Sequence, residues 1–368
     1  MMILFTAVFI VAACNKSASD NHELPVTSPL DVAAAKAGDT IRIKGSNFTT
    51  DVSQIEVSFN GVKGDVVRST VTEIVVVVPA GAKTGDVTVT VLGNAVSAGS
   101  LTVVPLTLYC IKNTYVSHSS YQLISLDPAT LNETVVFNLN DIYSGFNMYD
   151  LVYLPTTNEV LGLKADTLVK INVETKQITL LKLSTGSFDG LVLDNANNLY
   201  TRKAVNGGPN IVNFNLAKID AATGTVTDLN PWTSANYMFY FPSTNEIWGI
   251  SNDQEFVKYN LSTQNTSSVH LPNNTHYYSL IKDNNSNLYW VNYEHFAKVD
   301  SVTLSETEVL FNTGWSYPSQ YTYIPQRNEF AGIKASNSFF RYSLNQKTSS
   351  TTKLSDDLWT SYRDLITN

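Results

Sequence analysis

The chain offers few residues with ready-made chemistry. Its histidines, His22, His118, His270, His276 and His295, show no metal-ligand spacing. There is no nucleophile elbow, no P-loop and no glycine-rich dinucleotide fingerprint. What remains is a set of acids, phenols and an amide that recur at one place relative to a repeated phrase: Asp150, Asp189, Tyr237, Tyr278, Gln320 and Asp364. Trp232, Trp315 and Trp359 each stand five residues ahead of a member of that set, and Phe146 stands four ahead. Phe188, His276 and Tyr277 lie closer still. Carboxylates and amides beside aromatic faces are what sugar rings bind, the C–H faces stacking while the hydroxyls donate to Asp or Gln. A pair such as Asp150 and Asp189 could also perform acid–base work on a glycosidic bond. Three like charges around one opening also fit a bound Ca²⁺. The competing structural reading is that the aromatics wedge between packed sheets and the Asp residues cap strand starts.

The repeated phrase says which elements position these residues. "YLPTTNEVLGLKADTLVKIN" is nearly restated as "YFPSTNEIWGISNDQEFVKYN" 87 residues later. Looser copies anchor at "PTTNEV" 155, "DNANNL" 194, "PSTNEI" 242, "DNNSNL" 283 and "PQRNEF" 325, spaced 39, 48, 41 and 42 residues apart. A period near 40 with four short strands per unit predicts a β-propeller, and strand a of each blade lines its central channel. "TLYCIKN", "YQLISLD" and "ETVVFNL" read as strands b, c and d without a strand a, and the terminal "SYRDLIT" reads as the missing one. Joined, they predict a sixth blade that closes the ring and removes its free edges. The count gives a six-bladed ring over residues 105–368, and the pattern is similar to the NHL and YncE-like propellers.

Repetition also separates scaffold from candidates. Lys170, Lys218, Lys258, Lys298 and Arg341 take equivalent places on strand c, with Asn172, Asp220, Asn260 and Asp300 two residues later. Long basic stems are expected to cover apolar flanks, and the Asx side chains to close the following turn. "NANN" and "NNSN" lack the spaced carboxylates of a calcium loop and read as turns.

Residues 26–104 alternate apolar and polar positions in short runs; in "DVTVTV", Val87, Val89 and Val91 share one face. Six or seven such strands predict a β-sandwich. "AGDTIRIKGSNF", "VSFNG" and "VPAGAKTGDVTVTV" resemble the IPT/TIG family of immunoglobulin-like domains through Gly38, Gly45, Asn47, Phe48, Phe59, Gly61, Pro79, Gly81 and Gly85. The resemblance implies a spacer or partner-contacting module. The fold class expected is therefore all-β, an immunoglobulin-like sandwich followed by a six-bladed propeller.

The first residues, "MMILFTAVFIVAAC", are too short an apolar run to span a bilayer as a helix and fit the apolar part of an export signal. "VAAC" resembles a bacterial lipobox, which implies residues 1–14 as a lipoprotein signal, a lipid on Cys14, and 15–25 as a flexible tether; no Lys or Arg precedes the run. With Cys110 the one other cysteine, no disulfide can form within the mature chain. A net charge of −8 without Lys/Arg clusters argues against nucleic acid as a partner. The assembly resembles proteins that Gram-negative polysaccharide degraders display at the outer membrane. That implies a surface lipoprotein held to the membrane by Cys14 and binding a polysaccharide or oligosaccharide without chemistry. The alternatives are a surface protein partner for an adhesion or scaffolding role, and a propeller lyase or glycosidase.

Overall fold

The computed structural model describes residues 23–79, 81–115, 119–140, 149–184, 186–206, 212–232, 235–251, 255–271, 277–283, 285, 287–292, 295–312, 318–334, 337–357 and 360–368. They are nearly all β-structure, with two single-turn 3₁₀ segments and no α-helix among them. The chain divides into two compact units after Val103, apart from Lys36–Gly38.

The first unit is one curled eight-stranded sheet that folds over itself around a single core. Val62–Ser69 makes the curl. It pairs first with Ile55–Phe59, through Gly64, and from Asp65 with Glu73–Val77, in a ladder broken by a bulge between Val66 and Arg68. Val87 and Val89 are wholly buried and Val91 nearly so, as the alternation in "DVTVTV" predicts, and they meet Ile43, Val57, Ile74 and Val76. Gly45 and Phe48 belong together: a Cβ on Gly45 would lie 2.0 Å from the Val26 carbonyl oxygen and 2.4 Å from the Phe48 ring.

The second unit is six four-stranded antiparallel meanders. Blade 1 comprises Tyr149–Leu154, Glu159–Lys164, Thr167–Asn172 and Ile178–Lys182, which we call strands a to d. Blade 2 comprises Phe188–Leu193, Leu199–Asn206, Val212–Ile219 and Val226–Trp232; blade 3 Ala235–Phe241, Glu246–Ser251, Glu255–Asn260 and Thr266–His270. Blade 4 comprises Tyr277–Lys282, Leu288–Asn292, His295–Val299 and Glu306–Asn312; blade 5 Pro318–Ile324, Glu329–Lys334, Ser338–Ser343 and Thr348–Lys353. Blade 6 takes strand a from the C-terminus, Thr360–Thr367, and strands b to d from Leu108–Tyr115, Ser119–Leu126 and Glu133–Asn138, as the sequence predicts. Each strand a touches the strands a on either side, all the way round, so these six are innermost. Asn368 completes the join: its backbone N–H donates to the Thr107 carbonyl (3.0 Å), its side-chain oxygen accepts from the Thr107 N–H (2.9 Å), and its amide donates to the Pro105 carbonyl (3.1 Å).

Six apolar clusters hold the ring, one at each blade interface. Cys110 is one of these residues; it is fully buried, and burial pushes its thiol up, so it acts as a small apolar group. The turn after strand c repeats one device. The side chains of Asp127, Asn172, Asp220, Asn260 and Asp300 each accept from the N–H groups two and three residues on. A left-handed residue follows at the fourth position, Leu131, Lys176, Gly224, Gln264 and Leu304. The basic row of strand c is also scaffold. Lys170 reaches the Ala221 carbonyl of blade 2 and Arg341 the Pro128 carbonyl of blade 6, while Lys258 lies 4.4 Å over the Trp248 ring, where burial lowers its pKa.

Two expectations test this architecture. Gly45→Ala should destabilise the first unit by about 3 kcal/mol through forced overpacking, read as a lowered transition in urea titration of the full chain. Removing residues 360–368 should expose the Leu108–Tyr115 edge; a propeller that still melts in one cooperative step would refute the closure.

Candidate functional site

The site is built from the starts of the six strands a. In every blade that strand carries a bulge, near its start in blades 1 to 5 and further along in blade 6: between Tyr149 and Val152, Asp189 and Leu191, Asn236 and Phe239, Tyr277 and Ser279, Pro318 and Tyr321, and Arg363 and Ile366. A bulge breaks the ladder and re-aims the local side chains, which is why such features collect beside binding sites. All six residues expected from the sequence lie in or beside these bulges. The backbones of Asp150, Tyr237, Tyr278 and Gln320 are placed there; their side chains lie outside the described atoms.

The six are not all at one level. Which face of each blade a residue packs on identifies the equivalents: Leu151, Leu191, Met238, Leu280, Tyr321 and Leu365 all face the preceding blade. The residues just before them are Asp150, Gly190, Tyr237, Ser279, Gln320 and Asp364. Gly190 (φ 70°) and Asp364 (φ 58°) share a left-handed backbone there. Asp189 and Tyr278 therefore stand one residue above the level. The cause is in the turns. Asp194 and Asp283 occupy the place of the last apolar residue of strand a, not that of the Pro in "PTTNE", so counting back from them overshoots by one. Each folds inward and accepts from two turn N–H groups, an Asn amide and a Tyr hydroxyl. "NANN" and "NNSN" are turns, as read.

The carboxylates are less bare than the sequence implies. Arg202 on strand b of blade 2 donates to both oxygens of Asp189, Nε to Oδ1 and Nη2 to Oδ2, at 2.5 Å each. Asp364 is buried, with Arg363 Nε 3.7 Å from its Oδ2. Two of the three acids thus have a guanidinium beside them, and the repulsion that argued for Ca²⁺ is relieved within the chain. Among the described residues no three His, Cys, Asp or Glu are placed to hold a metal.

The aromatics divide. Trp232 is the last residue of strand d in blade 2, paired with Phe214, and not a loop residue. Phe146, Trp315, Trp359 and His276 lie outside the described residues. Phe188 is buried in the interface of blades 1 and 2 and is core. Trp248 and Trp290 are buried between blades 3 and 4, their indole N–H groups donating to Glu246 and Glu306. His295 also pairs with Glu306, at 2.7 Å, and so belongs to the scaffold.

Blades 2 and 6 depart from the rest. Their b–c hairpins run three residue pairs further, Ala204–Asn206 against Val212–Phe214 and Asn113–Tyr115 against Ser119–Tyr121. In an antiparallel meander the b–c turn and the start of strand a share one end, so both hairpins rise about 10 Å beside the mouth. They flank blade 1, which carries Asp150. Each brings an aromatic ring over an arginine: Phe214 lies 4.1 Å from the Arg202 guanidinium and Tyr121 5.7 Å from that of Arg363. Sequence reading passed over Arg202, although the signal was present. Its counterparts on strand b are Ile111, Leu163, Ile250, Val291 and Ile333, all buried.

Breaking the Asp189–Arg202 pair from one side leaves a charge in a largely buried place. Asp189→Ala should lower stability by about 1–2 kcal/mol, and adding Arg202→Met should restore most of it in a double-mutant cycle of unfolding free energies; additive losses would show no coupling.

Residues 25–107 match the model of the IPT/TIG domain. No curated protein matches the chain. Among solved structures, an auxiliary nutrient binding protein from Bacteroides thetaiotaomicron VPI-5482 is similar at 13% identity and TM-score 0.45, covering 89% of this chain and 85% of that one. Another auxiliary nutrient binding protein, from Bacteroides ovatus ATCC 8483, is similar at 11% identity and TM-score 0.45, covering 89% and 86%. An oligogalacturonate lyase in complex with manganese is similar at 13% identity and TM-score 0.49, covering 68% and 80%. At these identities and scores the likenesses say nothing about ligand or activity. What is shown is an immunoglobulin-like IPT/TIG domain at residues 25–107, ahead of a six-bladed β-propeller.

Proposed function

We propose that this chain is an exported surface lipoprotein, anchored through Cys14, whose propeller binds a glycan at the channel mouth without transforming it, with the IPT/TIG domain as spacer. One observation carries the reading. The propeller repeats its apolar and turn residues from blade to blade, whereas the bulges of its innermost strands carry an unlike set: Asp150, Asp189, Tyr237, Tyr278, Gln320 and Asp364. Scaffold needs repetition; a set that varies within the same bulge around a ring, though not all at one level, serves a ligand with several different faces. Hydroxyl-rich rings suit acceptors of this kind beside aromatic faces, and Trp232, Trp315, Trp359 and Phe146 precede the bulges in sequence. The reading needs neither a metal nor a cofactor, and it leaves nucleic acid aside on charge. No helix among the described residues is long and apolar enough to cross a membrane; the lipid proposed on Cys14 rests on the lipobox resemblance of "VAAC".

A second reading rests on a different surface. Val135, Leu180, Val269 and Val309 lie on strands d of blades 6, 1, 3 and 4 and are each about half exposed, at 45–54%. An apolar residue on the outermost strand of four blades favours a protein partner at the propeller's side.

The two separate in one experiment. Soluble protein beginning after Cys14 is mixed with a panel of polysaccharides and scored by depletion and Trp fluorescence. Retention by at least one polymer, lost in Asp150→Ala and in Trp315→Ala, is the expected result. New reducing ends or unsaturated sugars would make the protein an enzyme, and no retention on any polymer would turn the search to a protein partner.

A further inference from the structure

The geometry points to Arg202 as a positioning residue that turns Asp189 into an acceptor for hydroxyl groups and keeps divalent cations off it, so that the blade 2 side of the mouth takes an uncharged polyol. This rests on the glycan reading and narrows its ligand to neutral sugars at that subsite.

The first support is that Arg202 is not needed by the fold. Five blades fill its position with Ile111, Leu163, Ile250, Val291 or Ile333, each no more than 4% exposed. Each belongs to the apolar cluster at its blade interface. A guanidinium there must be desolvated, which a packing role alone would not favour over an aliphatic side chain. The second support is orientation. The Arg202 side chain is only 12% exposed whereas Asp189 is 43% exposed, so the guanidinium stands behind and the carboxylate faces solvent. Phe214 covers the guanidinium at 4.1 Å, and the hydroxyl of Thr201, wholly buried, donates to the Asp189 backbone carbonyl at 3.2 Å. Both the side chain and the backbone of Asp189 are therefore held from strand b.

A carboxylate has about four acceptor directions, and a two-pronged guanidinium uses two of them. The remaining ones are fixed in direction on a partly exposed carboxylate, the arrangement that hydroxyl donors need. Among the described residues the local charge is balanced. The neighbouring cation Lys203 is itself paired with Asp228, at 2.9 and 3.0 Å, so both acids here have a base. A divalent cation would have to displace Arg202 from a pair that two short bonds and an aromatic face hold in place. A hydroxyl group can donate to Asp189 without displacing Arg202.

The test has one arm that needs no sugar. Terbium(III) luminescence, excited through the protein's aromatic residues, is measured on wild type, Asp189→Asn, Arg202→Met, Arg202→Lys and the double variant Asp189→Asn/Arg202→Met, with thermal melts as the control for folding. Arg202→Met should acquire terbium binding that Ca²⁺ competes away and that the double variant lacks. Arg202→Lys, which keeps the charge and loses the fork, should remain free of it. In the second arm, neutral polymers (galactomannan, xyloglucan) and an acidic one (polygalacturonate) are cast in native gels containing a chelator. Arg202→Lys and Asp189→Asn should each weaken retention by the neutral polymers about tenfold, near 1.4 kcal/mol. Terbium binding by wild type that Asp189→Asn abolishes would overturn the cation-exclusion claim. Neutral retention left intact in Arg202→Lys, or retention by polygalacturonate alone, would overturn the positioning claim. If wild type is retained by no polymer the glycan reading fails, and the terbium arm still decides what Arg202 does.

Discussion

The pairing of Thr360–Thr367 with Leu108–Tyr115 is the constraint on which the rest of the propeller depends. A ring of sheets has no interior until its first and last members are one sheet. Before that, the apolar faces of blades 1 and 5 lie open and strand b of blade 6 is a bare edge. Closure joins residues about 250 positions apart, and the hydrogen bonds of Asn368 to Thr107 and Pro105 fasten the join from its last residue. It also sets the geometry of any ligand site, because it makes the six strands a mutual neighbours and turns their bulges toward one opening.

Within the ring, repetition and its failures divide the labour. The Asx turns, the interface clusters and the basic stems recur because each blade must solve the same packing problem. Blades alternate in one respect: 1, 3 and 5 tie a strand-a Tyr to the turn Asn (Tyr153–Asn158, Tyr240–Asn245, Tyr323–Asn328), whereas 2 and 4 fold an Asp inward. The phrase that repeats 87 residues apart is thus a two-blade repeat as well as a blade. Against this regularity the taller hairpins of blades 2 and 6 and the cation at Arg202 stand out, and both lie at the mouth end.

Much of this was legible in the residues. The propeller's strand count, blade closure, the Asx turns after strand c and the sandwich core follow from spacing and alternation, which are local properties of the chain; the first unit has eight strands where six or seven are expected, the additions being the two- and three-residue pieces Val26–Thr27 and Ala34–Lys36. The level of the ring residues was not. In blades 2 and 4 the turn begins one residue earlier in structural terms, since Asp194 and Asp283 stand in for Leu154 and Phe241, and no count of spacing separates an Asp that ends a strand from one that opens a turn. Trp232 reads as a loop residue in sequence, whereas strand d of blade 2 runs on to it, seven residues where blades 1 and 3 have five. Carboxylates counted along strand a leave out Arg202 across the sheet, since pairing between strands decides which charges meet. A cation in a column of buried aliphatics was the available signal, and it becomes visible only once the strand b register is known.

The central claim, that ligand is taken at the mouth where the innermost strands begin, is tested most directly by hydrogen–deuterium exchange with and without oligosaccharides from a retained polymer. The account predicts protection confined to the starts of strands a and to the b–c hairpins of blades 2 and 6. Protection along strands d, or in the IPT/TIG domain with the propeller unchanged, would contradict it.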